Sequence, residues 1–161
     1  IDDKDACIFP EKINGKYAIL HRINPCIWID YVDDLVFGEN KWVKGEILLN
    51  PREGKWDSDK VGIAGPPIKT KEGWFLIYHG LSKKDGKYRL GALLLDLKNP
   101  DKIITRFNYP ILEPEEEYET KGLRSGTVFA CGNIVIKDKI YVYYGAADQV
   151  VCAAWMPYPP L

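Results

Sequence analysis

The chain has 161 residues, enough to bury a domain-sized core, and one domain is the expectation. Its 22 Lys and Arg nearly balance 23 Asp and Glu for a net charge of -1, which argues against a nucleic-acid partner, because such a partner calls for a basic face. No apolar run approaches the ~20 residues of a membrane-spanning helix, and the acidic start IDDKDACIFP does not suit a secretion signal. No membrane partner is therefore expected, and a cytoplasmic location is.

Cys7, Cys26, Cys131 and Cys152 form no CxxC pair, and only two histidines accompany them. No metal site is expected. Each cysteine sits in an apolar stretch, where a reduced, buried thiol is the ordinary state, while the even count leaves disulfide pairing as the alternative.

Helical periodicity is almost absent. Short β-branched and aromatic runs recur instead, and they predict strands at Tyr17 to His21, Ile27 to Tyr31, Glu46 to Leu49, Trp74 to His79, Leu90 to Leu97, Ile103 to Phe107, Asn133 to Ile136, Ile140 to Tyr144 and Val150 to Trp155. Asn14-Gly15, Glu72-Gly73, Asp85-Gly86 and Lys137-Asp138 supply turns of hairpin length. The fold class is all-β.

The strands repeat. FPEKINGKYAILHR, PPIKTKEGWFLIYHG and GNIVIKDKIYVYYG each give a strand, a tight polar turn and an apolar second strand. Aligning their ends puts His21, His79 and Tyr144 in register, 58 and 65 residues apart. Each unit goes on to a third strand, and the first two to a fourth, which describes antiparallel propeller blades. The approximate units are 7–58, 59–125 and 126–161, a partial β-propeller of about two and a half to three blades. An open arc of blades exposes the faces on which blades pack. The expectation is that N-terminal blades are missing from the chain or that it forms a homo-oligomer.

Strands in register project their ends to one axial face. Arg22 and His79 are placed to converge near the channel, with His21 beside them and Lys60 arriving from the loop that feeds the same blade. Arg, Lys and His together suit a compact dianion such as phosphate, through charge-assisted hydrogen bonds. Spacing alone leaves the alternative open: Arg22 on a surface carboxylate, Lys60 solvated, and the histidines satisfied at strand ends.

Five segments in order, FPEKINGKYAILHR, Trp56 to Ile68 as W-D-x-x-K-V-G-x-x-G-P-P-I, GWFLIYHG, GALLLDL and YYGAAD, resemble glycoside hydrolase family 130, the β-1,4-mannosyl-oligosaccharide phosphorylases and related mannosidases. The resemblance runs from about Lys4 to Asp148. It implies a five-bladed β-propeller and an inverting phosphorolysis of a β-mannoside to α-mannose 1-phosphate and a shortened acceptor. It further implies phosphate ligation by Arg22, Lys60 and His79, with Lys4 standing where many members carry Arg, and sugar contacts from Asp148 and His21. Small-molecule β-mannoside and phosphate are the implied partners. No cofactor is implied beyond inorganic phosphate as co-substrate.

Departures accompany the match. The family's general acid is an Asp in an E-D-P-R-like motif that this chain lacks, so no catalytic residue is assigned and the 161 residues alone are not expected to turn over. Asp2, Asp3 and Asp5 are read as solvated carboxylates at a frayed terminus. GLRSGTVFACG replaces the family's V-x-N-V-V-F, and Phe37-Gly38 ends the segment after Asp33 to Leu35 differently. A β-mannoside hydrolase of the same family and a non-catalytic carbohydrate-binding fragment are the rival readings. The acidic run Glu113 to Glu119 is expected to be a solvated loop, and the tail Met156 to Leu161 to lie extended along the surface or across a blade.

Overall fold

A computed structural model describes residues 2–38 and 42–158. They form three antiparallel sheets, successive blades of a partial β-propeller. The first sheet runs in chain order through β1 (Asp3–Ile8), β2 (Tyr17–Ile23), β3 (Cys26–Val32) and β4 (Glu46–Leu49). The second contains β5 (Lys60–Ile63), β6 (Ile68–Lys69), β7 (Trp74–Leu81), β8 (Tyr88–Leu95) and β9 (Ile103–Arg106). Here β5 and β6 pair with successive parts of β7, as one inner strand interrupted at Pro66-Pro67, where two backbone donors are missing. A single helical turn, α1 (Glu117–Thr120), leads to the third sheet of β10 (Val128–Ile136), β11 (Lys139–Ala146) and β12 (Val150–Pro157).

The period-two pattern of β7 and β8 explains how the sheets stack. Trp74, Leu76 and Tyr78 of β7, with Leu93 and Leu95 of β8, pack with Leu20, Ile27 and Leu49 of the first sheet. Phe75 and Ile77, with Leu90, Ala92 and Leu94, pack with Val128, Ile140 and Val142 of the third. Both strands are therefore apolar on both faces, and β8 is buried from end to end. The far face of the third sheet is different. By cross-strand register, Ile134, Ile136, Tyr143, Val151 and Trp155 share it, and all are exposed.

The 50–59 connection lies over the second sheet and delivers β5. Asp57 is wholly buried there, with its carboxylate held by Arg52 Nη2 at 2.8 Å, Arg106 Nη2 at 2.7 Å and the Tyr78 hydroxyl at 2.8 Å. Trp56 stacks on Tyr78 with ring centroids 5.6 Å apart. A Cβ at Gly80 would collide with both Trp56 and Asp57, so glycine is what lets this connection lie flat on β7.

Several sequence expectations need correction. Asp3 and Asp5 are not frayed: they belong to β1, which was not predicted because its backbone partner β2 lies beyond an eight-residue connection that charged side chains disguise. Lys60 is not in a loop but opens β5, whose four residues are too short to stand out between Gly and Pro. The acidic run is not wholly solvated. Glu119 is buried, takes the Glu115 and Glu116 backbone N–H groups on Oε2, and accepts the Tyr144 hydroxyl on Oε1 at 2.7 Å. All four cysteines are free thiols, and Cys131 is exposed rather than buried. In the tail, Met156 and Pro157 complete β12, Tyr158 bonds the Lys69 carbonyl at 2.9 Å, and residues 159–161 lie outside the described residues. No helix of the described residues is long and apolar enough to cross a membrane.

Asp57→Ala leaves two guanidinium groups and a tyrosine hydroxyl without their shared acceptor. Breaking a buried ion pair from one side costs roughly 3–5 kcal/mol, and urea unfolding of the variant is expected to show a loss of that size. A loss below about 1 kcal/mol, the range of an exposed pair, would mean that the Asp57 contacts do not anchor the connection.

Candidate functional site

Strand direction gathers the chemistry at one end of the molecule. His21, His79 and Tyr144 each stand two residues before the end of β2, β7 and β11. Because β5 is antiparallel to β7, its first residue, Lys60, pairs with Leu81 at that same end. The turn 147–149 after β11, which carries Asp148, lies there too.

Within β2, Arg22 shares the parity of Ala18 and Leu20, which pack toward the second sheet, so its side chain faces β5. Lys4 of β1 is its direct cross-strand neighbour. Between that pair and Cys7↔Leu20, β1 spends two residues, Asp5 and Ala6, against the single His21. This is a β-bulge, and Asp5 adopts φ +54°, a left-handed conformation that non-glycine residues rarely take. Regular alternation would put Asp5 on the face of Asp3. The bulge turns it instead toward Arg22 and the second sheet.

There the carboxylate meets two cationic or polar side chains. Asp5 Oδ2 lies 3.1 Å from Arg22 Nη1 and 3.4 Å from His79 Nε2. His79 is fully buried and Arg22 nearly so. Gly62 of β5 is the direct partner of His79, and a Cβ on it would collide with both His79 Nε2 and Asp5 Oδ2, so the missing side chain opens the passage between them. The His79 ring also packs against Phe129 of β10, with centroids 4.0 Å apart and the planes tilted by 34°. The ion pairs are near in distance but poor in angle. Asp5 Oδ2, Arg22 Nε and both ring nitrogens of His79 are buried with no hydrogen-bond partner, an unusual concentration of unsatisfied groups.

The electrostatics follow from burial and neighbours. Burial disfavours the His79 cation; Asp5 supports it, but the positive charges of Arg22 and Lys60 oppose it, and the pKa lies below that of an ordinary histidine. Burial also works against the Asp5 carboxylate, but its contact with His79 and the charges of Arg22 and Lys4 outweigh that and hold its pKa below the ordinary value. Asp5, Cys7, Ile63, Gly65, Phe129 and Cys131 line an open groove of about 600 Å3 shared by the three inner strands. Burial pushes the Cys7 thiol up to about 12, so it is no nucleophile at neutral pH.

The other sequence candidates sit differently. Lys60 is half-buried, with its ammonium 5.6 Å from the Tyr88 ring centroid and its charge acting on His79. Lys4 is exposed, 3.4 Å from Asp2, and reaches the cluster only through its charge. His21 has the opposite parity to Arg22; its Nδ1 is 2.9 Å from Asp3 Oδ2, on the other face of β2. Asp148 is exposed in a turn at φ +54°. Asp5 was the residue that sequence reasoning missed. Its one signal was the D-K-D-A-C-I alternation facing L-H-R-I, legible only once β1 is paired with β2. Among the described residues, no group of His, Cys, Asp and Glu could hold a metal ion.

The model of the family described as beta-1,4-mannooligosaccharide phosphorylase, glycoside hydrolase family 130, matches residues 1–158. The chain is 54% identical over 152 residues to a 1,2-beta-oligomannan phosphorylase of Thermoanaerobacter sp. (strain X514), covering 94% of this chain and 50% of that protein. It is 32% identical to a beta-1,4-mannooligosaccharide phosphorylase of Ruminococcus albus, covering 95% of this chain and 48% of that one. The beta-1,2-mannobiose phosphorylase structure from Listeria innocua superposes with a TM-score of 0.89 at 41% identity, over 98% of this chain and 45% of that one. The chain thus spans about half the length of the curated relatives it matches.

The depressed His79 pKa can be measured directly, since the chain has only two histidines. In an NMR titration the His79 imidazole is expected to protonate below 6.5, the value of an ordinary histidine. The folded pKa then lies beneath the unfolded one. The contribution of His79 to stability is complete above pH 6.5 and falls as the pH drops from there toward the folded pKa. Protonation of His79 at or above 6.5 would show that Asp5, not burial and the two cations, governs the ring.

Proposed function

Because the chain belongs to glycoside hydrolase family 130, we propose that it forms the phosphate-holding part of a β-mannoside phosphorylase. In this reading Arg22, Lys60 and His79 bind inorganic phosphate, and Lys4 adds long-range positive charge. Phosphate attacks the anomeric carbon of the non-reducing β-mannosyl unit with inversion, giving α-mannose 1-phosphate and a shortened acceptor. The cluster contributes positioning and electrostatics: it holds the nucleophile and offsets repulsion as that nucleophile nears the sugar. His79, neutral at pH 7 by its depressed pKa, serves as a hydrogen-bond donor from one ring nitrogen rather than as a charge.

The single observation that carries this reading is the set of buried polar groups without partners, Arg22 Nε and the two His79 ring nitrogens, next to the Lys60 charge. Buried polar groups are ordinarily hydrogen-bonded, so several left without partners around one carboxylate favour a ligand site. Asp148 and His21 remain the candidates for sugar contacts. The general acid that protonates the leaving oxygen is assigned outside these 161 residues, and the further blades that carry it are assigned to the exposed apolar face of the third sheet. Half-length coverage of the relatives supports both assignments. On linkage, identity of 54% to a 1,2-beta-oligomannan phosphorylase against 32% to a β-1,4 enzyme favours a β-1,2-mannoside over the β-1,4 substrate expected from the resemblance.

Phosphate binding by the chain itself is the test, read by isothermal titration. Loss of one charge-assisted ligand costs on the order of 1.5–3 kcal/mol, or one to two decades in affinity. Arg22→Ala is expected to weaken phosphate binding by that factor, while Lys137→Asn, in the β10–β11 turn, leaves it unchanged. Equal effects of the two substitutions would reduce the cluster to a coincidence of packing.

A further inference from the structure

Asp5 is the anomaly of the site: a carboxylate placed, through a strained backbone, inside a pocket assigned to an anion. A bulge with φ +54° persists where the surroundings enforce it. Here the surroundings are the Arg22 guanidinium at 3.1 Å, the His79 ring at 3.4 Å and the space left by Gly62. Oδ2 of this carboxylate is itself buried without a hydrogen-bond partner. The pocket therefore offers unused donors, Arg22 Nε and the protonated His79 ring nitrogen, and, besides the other ring nitrogen, one charged acceptor, the Asp5 carboxylate. Lys4 and Lys60 supply the other charges that act on it.

A ligand that satisfies such a set must accept several hydrogen bonds and donate one. Inorganic phosphate does both, because at neutral pH each ion keeps at least one proton. Sulfate has the same shape and charge range but keeps none, so it would press bare lone pairs against the carboxylate. We propose that Asp5 is the specificity-determining residue of the anion site, accepting a hydrogen bond from the P–O–H group of a protonated tetrahedral oxyanion and excluding unprotonated ones. This deepens the phosphorylase reading and rests on it. The alternative behaviour, in which Asp5 swings away to make room for the anion, would tighten binding of every tetrahedral anion when the carboxylate is removed and leave their ratio unchanged.

Four anions separate these cases in titrations of the 161-residue chain at neutral pH. Phosphate and arsenate are protonated there, and sulfate and selenate are their unprotonated counterparts of similar size. The wild-type chain is expected to prefer phosphate over sulfate and arsenate over selenate by roughly ten- to a hundredfold, the value of one charge-assisted hydrogen bond. In Asp5→Asn, whose side chain can donate to a bare oxyanion, both ratios are expected to fall to within about threefold, mostly through tighter sulfate and selenate binding. Persistent discrimination in a folded Asp5→Asn overturns the proposal while leaving Arg22-dependent phosphate binding, and with it the proposed function, intact. Equal binding of all four anions by the wild-type chain overturns it without any variant. Failure of the wild-type chain to bind phosphate removes the functional reading and the role of Asp5 together.

Discussion

The two central strands of the second sheet, β7 and β8, are buried on both faces, and the rest of the molecule is arranged around that constraint. A strand with no solvent-facing side must place every polar side chain at its ends or satisfy it within the packing. In β7 the apolar run from Trp74 to Tyr78 uses both faces for core, and the first residue free to carry chemistry is His79. His79 inherits the parity of Phe75 and Ile77 and so packs on Phe129 of the third sheet, while Gly62 leaves its edge open to Asp5 of the first. One imidazole thereby touches all three sheets. The site is a product of blade stacking, not of any one loop.

The same constraint explains the Asp57 network. A connection lying on a sheet with no free face must bring its own polar satisfaction with it. Asp57 does so by binding Arg52 of its own loop and Arg106 of β9. Three residues later the chain enters β5 at Lys60, so the position of that ammonium relative to His79 depends on a buried carboxylate with no part in the chemistry. The W-D-x-x-K-V-G segment thus combines an anchor, a charge and a gap: Asp57, Lys60 and Gly62.

What the sequence could and could not reveal divides along the range of the interactions. The hairpins were legible because alternation and turn residues are local: Asn14 and Gly15 both take positive φ in the turn, and Glu46–Leu49 is a strand with the bounds expected. The recurrence of those hairpins exposed the blades and put His21, His79 and Tyr144 at equivalent positions. The sequence places Arg22 and His79 at one end of the strands, where the structure also has them, but not their separation by parity from His21. Strand β1 was illegible because its charges read as a solvated terminus, and a bulge cannot be read from alternation that it breaks. Glu119 was misread for a related reason. A run of like charges suggests solvent, and only the tertiary position of Tyr144 shows that one member is buried.

The three equivalent strand ends show how a repeat becomes a site. His21 contacts Asp3 at 2.9 Å, and Tyr144 donates to Glu119 at 2.7 Å. At both, a carboxylate from a neighbouring segment is close enough and well enough aligned for a hydrogen bond. His79 also has its carboxylate, Asp5, but at 3.4 Å and without the alignment of a bond. The difference does not come from the register, which is the same, nor from the supply of an acidic partner. It comes from Arg22, which draws Asp5 toward itself at 3.1 Å and leaves the imidazole short of an acceptor. At two blades the carboxylate contact is a hydrogen bond, although His21 Nε2 is itself buried without a partner, and at the blade between them it is not. Under the proposed function, the cost of leaving such a group unsatisfied would be recovered on binding an oxyanion and would appear as affinity.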